Sequence, residues 1–167
     1  MSPLTTSSLN PYSGRTKFTA PAPLKKVNDW LNGIQFSTDF PLIDVSQAAP
    51  SEPPALSLRE ALAEYVLTNP NAHLYGQILG TDELRSALAK HWSQAYAGSV
   101  EAQNVAITSG CNQAFCAVIS AIAEQGDEVI LPAPWYFNHK MWLDMNGVLA
   151  RPVMTGSDLL PDPQDAA

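Results

Sequence analysis

Residues 107–113 read ITSGCNQ, and this short stretch decides the predicted fold. It follows on from NVAIT at 104–108, a β-rich run of the length typical of a buried strand. Beyond the turn, apolar residues recur at helical spacing from about Asn112 to Ala123. A strand that passes into a helix through a glycine-containing turn is typical of α/β proteins.

Strands and helices continue to alternate after this turn. DEVILP (127–132) and VLARPV (148–153) are predicted to be buried strands, and HKMWLDM (139–145) is predicted to be a helix that Gly147 ends. Such alternation indicates right-handed crossovers. We therefore expect an α/β fold with a mostly parallel central sheet flanked by helices.

The first half of the chain combines an arm with two capped helices. Residues 1–24 are rich in Ser, Thr and Pro and are predicted to be extended. Ser57 is predicted to cap a helix that ends at Asn69, and Thr81 to cap the next one. Residues 24–34 are predicted to form a short helix.

Composition limits the function classes. The chain has 167 residues, 46% of them hydrophobic, and a formal net charge of −7. That acidic balance argues against nucleic acid and anionic membrane surfaces as partners, and no run approaches the ~20 apolar residues of a membrane span. Cys111 and Cys116 fit neither a metal-binding spacing nor a disulfide framework, so we expect two buried thiols in a reducing cytoplasm.

The glycine turn is a candidate anion site. The N-terminus of a helix offers unpaired N–H groups and a partial positive charge, and Gly110 removes the Cβ that would block a phosphate. The same pattern is compatible with a tight strand-to-helix turn capped by Asn112 or Ser109. The segment is neither a GxGxxG fingerprint nor a Walker loop, which disfavours nucleotides.

Two further loops carry candidate binding residues. Residues 131–139 read LPAPWYFNH, and one of the three adjacent aromatics could stack on a heteroaromatic ring. For Trp135 and Phe137 we favour packing in the core or under a loop. Tyr75, in the glycine-rich segment 73–80, could offer its hydroxyl to an anion or be a packed surface aromatic.

Four segments together resemble class I/II aminotransferases, which are fold-type I enzymes dependent on pyridoxal 5'-phosphate. YGQILGTDELRSAL (75–88) resembles the family's tyrosine-glycine segment, ITSGCNQAF (107–115) its phosphate loop, and GDEVILPAPWYFNH (126–139) its aromatic loop. LIDVSQAAP (42–50) resembles an early strand and substrate-side loop, although alanines stand where glycine is common.

The resemblance implies roles for particular residues. Backbone N–H groups of Gly110 and Cys111, with Asn112 adjacent, would hold the cofactor phosphate, and Tyr136 would stack on the pyridine ring. Tyr75 would reach the cofactor phosphate of a neighbouring subunit, which implies a homodimer with shared sites. Ala48 would line the side of the site that receives the substrate carboxylate.

The implied activity is transamination between an amino acid and a 2-oxo acid. In the family, the catalytic lysine, the acid at the ring nitrogen and the carboxylate-binding arginine lie further along the chain, so no catalytic residue is assigned here. Residues 1–50 are interpreted as an N-terminal arm with a small-domain segment, and 51–167 as an incomplete cofactor-binding large domain. We expect a fragment of a longer enzyme; the alternatives are another fold-type I lyase, decarboxylase or synthase, or an inert truncated remnant.

Overall fold

The computed structural model describes residues 15–47 and 49–166. The helices are α1 (Leu24–Leu31), α2 (Leu56–Thr68), α3 (Asp82–Ala95), α4 (Cys111–Ile122) and α5 (Phe137–Asn146), and the strands are β1 (Glu128–Ala133) and β2 (Leu149–Met154). None of the helices within these described ranges has the length and apolar character needed to cross a membrane.

The chain divides into two compact units. One combines Met1–Ile34 with Ser109–Ala167 and contains both strands, and we call it the sheet unit. The other is Gln35–Thr108, which we call the helical unit. The division inferred from sequence, at residue 50, concerns the domains of a larger enzyme and stays a prediction.

The sheet unit is a strand–helix–strand motif. β1 and β2 pair in parallel, from Glu128 opposite Leu149 to Ala133 opposite Met154, and α5 connects them. The two predicted strands are confirmed, each beginning and ending one residue later than expected. Strands joined by a crossover helix form the parallel arrangement expected of an α/β protein.

Buried apolar side chains hold this motif together. Leu143 of α5 is completely buried and packs with Val148, Leu131 of β1 and Ile119 of α4. Burying side chains of this size contributes about 1.5–3 kcal/mol each. The cluster therefore ties both helices to the first strand and fixes where their N-termini lie.

Gly147 ends α5 as predicted. It adopts the left-handed conformation (φ 70°, ψ 20°), and its N–H group bonds to the carbonyls of Asp144 and Leu143. A left-handed residue after the last helical turn turns the chain sharply at little steric cost when it is glycine. Val148 and β2 can therefore follow at once.

The strand predicted at 104–108 is wrong. Ala102–Asn104 is a single 3₁₀ turn, and the residues after it are not paired as a strand. Val105 is extended, but its carbonyl accepts a hydrogen bond from Nε of Arg85 at 2.9 Å, and the N–H group of Ile107 bonds to the Leu79 carbonyl. Extended backbone becomes a strand only beside a partner strand, and the described residues provide none here.

Of the two helix caps predicted in the helical unit, one is confirmed and one is wrong. The Thr81 hydroxyl accepts the N–H group of Leu84 at 3.3 Å, as predicted for α3. Ser57 is not a cap, because the Ala55 carbonyl already accepts the first helical bond from Leu58 and α2 begins at Leu56. The extended conformation that a cap requires is held by Ala55 instead.

Candidate cofactor site

Gly110 shapes the turn in front of α4. Its backbone angles (φ 95°, ψ 170°) lie in a region that essentially only glycine occupies. A Cβ placed on it would have no atom within 4 Å, so the space beside the backbone is open. The residue is therefore required by conformation and leaves room for a ligand against the main chain.

The N-terminus of α4 can receive an anion. Gly110 is the N-cap residue and has no side chain with which to cap the helix, and no acidic residue stands in the first turn. The first N–H groups of a helix, here those of Cys111 and Asn112, have no partner within the helix and carry partial positive charge. Both residues are exposed. This is the arrangement that binds phosphate groups at helix N-termini.

Tyr136 lies immediately before α5, as its N-cap residue. Its ring is about half exposed (47%), and its hydroxyl accepts a hydrogen bond from Nδ2 of Asn138 at 2.7 Å. The ring lies edge-on to those of Phe137 and His139, each with centroids 5.2 Å away. About half of the tyrosine surface therefore stays accessible to a stacking partner.

The two aromatic residues that flank Tyr136 differ in burial. Phe137 is half-buried, in line with the packing interpretation. Trp135 keeps 38% of its surface exposed and does not belong to the core cluster, so the expectation of core packing is wrong for it, whereas packing under a loop stays a prediction.

His139 joins α4 to α5. Its ring stacks on Phe115 with centroids 3.9 Å apart and planes 16° from parallel. Burial lowers the pKa of the His139 imidazole below its usual value, and its Nε2 is buried without a partner among the described residues. The ring therefore contributes packing between α4 and α5 through its flat face.

The phosphate-loop and aromatic-loop residues border one cavity. A cavity of about 230 Å³ between α4 and α5 is lined by Asn112 and Asn138, with Phe115 and Trp142 among its apolar residues. Asn112 follows the glycine turn, and Asn138 bonds to Tyr136. Of the predicted site residues, Asn112 therefore lines this cavity, and Tyr136 is connected to it only through its hydrogen bond with Asn138.

A second, larger cavity of about 480 Å³ does not suit the same ligand. Asp158, Asp162 and Asp165 line it, and three carboxylates disfavour an anionic cofactor. Among the described residues, no cluster of His, Cys, Asp and Glu could hold a metal ion. The N-terminus of α4 is therefore the better candidate than this cavity for binding an anion.

Other predicted residues fall elsewhere. Tyr75 belongs to the helical unit and is fully exposed (107%). Ala48 lies outside the described residues. Cys116 is half-buried, and Cys111 is exposed because it is the first residue of α4, so the expectation of two buried thiols is wrong; both are free.

Sequence reasoning missed one contact of the turn. Oε1 of Gln113 accepts the backbone N–H group of Ser109. Gln at the third helical position is one half of the capping-box signal, and it was available in the sequence. The usual first half, a Ser or Thr N-cap, is absent because Gly110 occupies that position.

The comparisons with known proteins agree with this geometry. The family model for class I and II aminotransferases matches residues 37–160. The chain therefore belongs to the class I and II aminotransferase family. Its fold is that of part of a fold-type I enzyme, and members of this class use pyridoxal phosphate.

Individual relatives support the family across different organisms. The chain is 31% identical over 100 residues to a histidinol-phosphate aminotransferase from Ruminiclostridium cellulolyticum, covering 59% of this chain and 25% of that protein. It is 28% identical over 150 residues to methionine aminotransferase from Escherichia coli, covering 89% and 35%. The crystal structure of Thermotoga maritima aspartate aminotransferase has the same fold, with a TM-score of 0.77 at 19% identity, over 93% of this chain and 41% of that one. The chain thus spans about a quarter to a third of the length of these curated relatives.

Proposed function

We propose that this chain forms the phosphate-binding and ring-stacking part of a pyridoxal phosphate site in an aminotransferase. The reaction would transfer an amino group from an amino acid to a 2-oxo acid. The observation that carries the proposal is the uncapped N-terminus of α4 behind a glycine with φ 95°. Family membership supports transamination in general and leaves the amino donor open.

The phosphate end of the cofactor fits the turn. A phosphate carries about two negative charges near neutral pH, and the α4 N-terminus supplies N–H donors without a competing carboxylate. Gly110 admits the phosphate to within hydrogen-bond distance of the main chain, because no Cβ fills the space. Gly110, Cys111 and Asn112 would hold it through their backbone.

The ring end fits the tyrosine. The exposed face of Tyr136 would lie against the cofactor ring, and the bond from Asn138 would limit rotation of the phenol. When bound, pyridoxal phosphate supplies an electron sink that makes the α-proton of an amino acid acidic. The residues described here bind and orient; none of them is proposed to move a proton.

None of the reacting groups is assigned to a residue of this chain. The chemistry needs a lysine, an acid at the ring nitrogen and an arginine for the substrate carboxylate. Lys140 is unsuited to the lysine's role because it is ion-paired with Asp144 at 2.5 Å in α5. The chain corresponds to about a quarter of the length of the histidinol-phosphate aminotransferase.

We further propose a homodimer in the cytoplasm. The full exposure of Tyr75 supports a contact made only on assembly, with the cofactor phosphate of a second subunit. Two unpaired cysteines suit a reducing compartment. Ala48 is proposed, from the family resemblance alone, to line the substrate carboxylate side.

The experiment uses the protein as its natural gene encodes it. Supplied with pyridoxal phosphate and one amino acid at a time, it should release the matching 2-oxo acid. Release of carbon dioxide or of an eliminated side chain would instead indicate a decarboxylase or lyase. Absence of any reaction or cofactor binding across the common amino acids would overturn the proposal.

Variants of Tyr136 test its role. Tyr136→Phe keeps the ring and loses the bond to Asn138, so we expect at most about a threefold loss of cofactor affinity. Tyr136→Ala removes the ring and should cost about tenfold or more. Tyr65→Ala, an exposed tyrosine of α2, is the control and should change nothing. Equal affinity of both Tyr136 variants would contradict ring stacking.

A further inference from the structure

Gln113 connects the glycine turn to α4. Its side-chain Oε1 accepts the backbone N–H group of Ser109, four residues earlier. Gln113 is the third residue of α4, so its side chain reaches back over the first turn of the helix. The bond resembles a capping box, except that it holds the residue before the N-cap.

The turn needs this connection because its geometry is unusual. Glycine has more conformational freedom than any other residue type. At Gly110, no atom lies within 4 Å of the place where a Cβ would be. Ser109, on its other side, is exposed. Fixing the Ser109 amide to the helix restricts the backbone on which a phosphate would rest.

The residue type at position 113 is also informative. Glutamate could accept the same hydrogen bond and would favour the helix dipole more than glutamine does. A carboxylate there would, however, repel an anion bound at the same helix N-terminus. A neutral acceptor holds the turn without this repulsion, and α4 has no acidic residue in its first turn.

We propose that Gln113 is a positioning residue for phosphate, which holds the Ser109–Gly110 backbone in its binding conformation while leaving the helix N-terminus uncharged. The inference rests on the proposed function and adds a side chain to the backbone groups of the cradle. It predicts that cofactor binding depends on position 113 only through the phosphate group.

The first measurement needs no cofactor. Amide hydrogen exchange at Ser109 is compared between the natural protein and Gln113→Met, which keeps the length of the side chain and removes the acceptor. We expect Ser109 to exchange about tenfold faster in the variant, since an amide without its partner is more open. Equal exchange would overturn the proposal, whether or not the protein binds pyridoxal phosphate.

The second measurement compares pyridoxal phosphate with pyridoxal, which lacks the phosphate. Gln113→Glu should weaken binding of pyridoxal phosphate about tenfold and leave pyridoxal unchanged, because only the phosphate meets the new charge. Gln125→Glu is the control, because it adds the same charge beyond the other end of α4. It should change the affinity for neither pyridoxal phosphate nor pyridoxal.

The outcomes separate this inference from the proposed function. Binding of pyridoxal phosphate by Gln113→Glu at the natural affinity, or equal losses for both ligands, would overturn the role of Gln113 and leave the aminotransferase site standing. Failure of the natural protein to bind either ligand would overturn the proposed function, and the exchange of Ser109 would still decide whether Gln113 holds the turn.

Discussion

The two units are stabilised in different ways. In the sheet unit, Leu143 and Val148 are essentially inaccessible and belong to a contiguous apolar core. In the described part of the helical unit, Ala89 is the only buried side chain, and large apolar residues such as Leu62 of α2 stay more than half exposed. The candidate site belongs to the unit with the core.

Polar contacts take the place of a core in the helical unit. Nε of Arg85 donates to the carbonyls of Ala102 and Val105 at 3.1 and 2.9 Å, and Nη2 donates to Ala102 at 2.8 Å. A packed core therefore orders the N-termini of α4 and α5, whereas the backbone near 102–105 is held by Arg85 together with the capping box of Glu101 and Asn104. Four substitutions test that difference.

The largest effect is expected at Leu143. Leu143→Ala removes a completely buried side chain and should lower the free energy of unfolding of the sheet unit by about 2–5 kcal/mol. The loss of stability is measured as faster hydrogen exchange of the Leu149 amide, which bonds to the Asp127 carbonyl in the folded protein. Leu67→Ala, at a side chain 84% exposed, should change stability by less than about 0.5 kcal/mol. Similar losses for both would contradict the core assigned to this unit.

Gly80 tests close packing in the helical unit. It has φ 96°, and a Cβ there would lie 2.3 Å from Cγ1 of Ile107. Gly80→Ala should therefore cost about 2–3 kcal/mol, seen as faster exchange of the Ile107 amide that bonds to Leu79. Gly76→Ala is the control, because no atom lies within 4 Å of its Cβ position. A harmless Gly80→Ala would show that the approach to Ile107 is looser than described.

Arg85 tests the polar contacts directly. Arg85→Lys keeps the charge but cannot donate to both carbonyls in the geometry of a guanidinium, so we expect a loss of about 1.5–3 kcal/mol in the helical unit. Arg59→Lys, at an exposed position of α2, should have almost no effect. The measurement is amide exchange at Val105 and Ile107, and unchanged rates would contradict the role given to Arg85.

The smallest effect concerns pH and the sheet unit. Because burial lowers the pKa of His139 in the folded state, the unfolded chain binds more protons below about pH 6.5. Stability should therefore fall as the pH drops through 6.5, and stop falling below the folded pKa. His139→Phe keeps the stack on Phe115 and removes this dependence. The free energy of unfolding of the natural protein and of His139→Phe is measured with denaturant at about pH 7.5 and about pH 5.5. An equal loss of stability in both proteins between these pH values would contradict the lowered pKa assigned to His139.

Sequence patterns predicted the elements whose determinants are local. Thr81 caps α3, Gly147 ends α5, and the strands predicted at 127–132 and 148–153 form within one residue of those bounds, because caps, glycine conformations and apolar runs act over a few residues. The strand at 104–108 failed because strand formation depends on a partner that lies far away in sequence.

Only those parts of the candidate site that depend on local sequence or on the family resemblance could be predicted. The glycine turn before α4 could be located from its pattern, and Tyr136 from the family resemblance. The stack of His139 on Phe115 could not, because it depends on how α4 and α5 pack. Cys111 was placed wrongly, since apolar character does not reveal that a residue lies at the end of a helix.

The most direct test of the central claim is a crystal structure of the protein, as its natural gene encodes it, grown with pyridoxal phosphate. We expect the phosphate at the N-terminus of α4, within hydrogen-bond distance of the backbone nitrogens of Cys111 and Asn112, and the ring against Tyr136. A phosphate bound anywhere else, with the turn at Gly110 left without it, would contradict the claim.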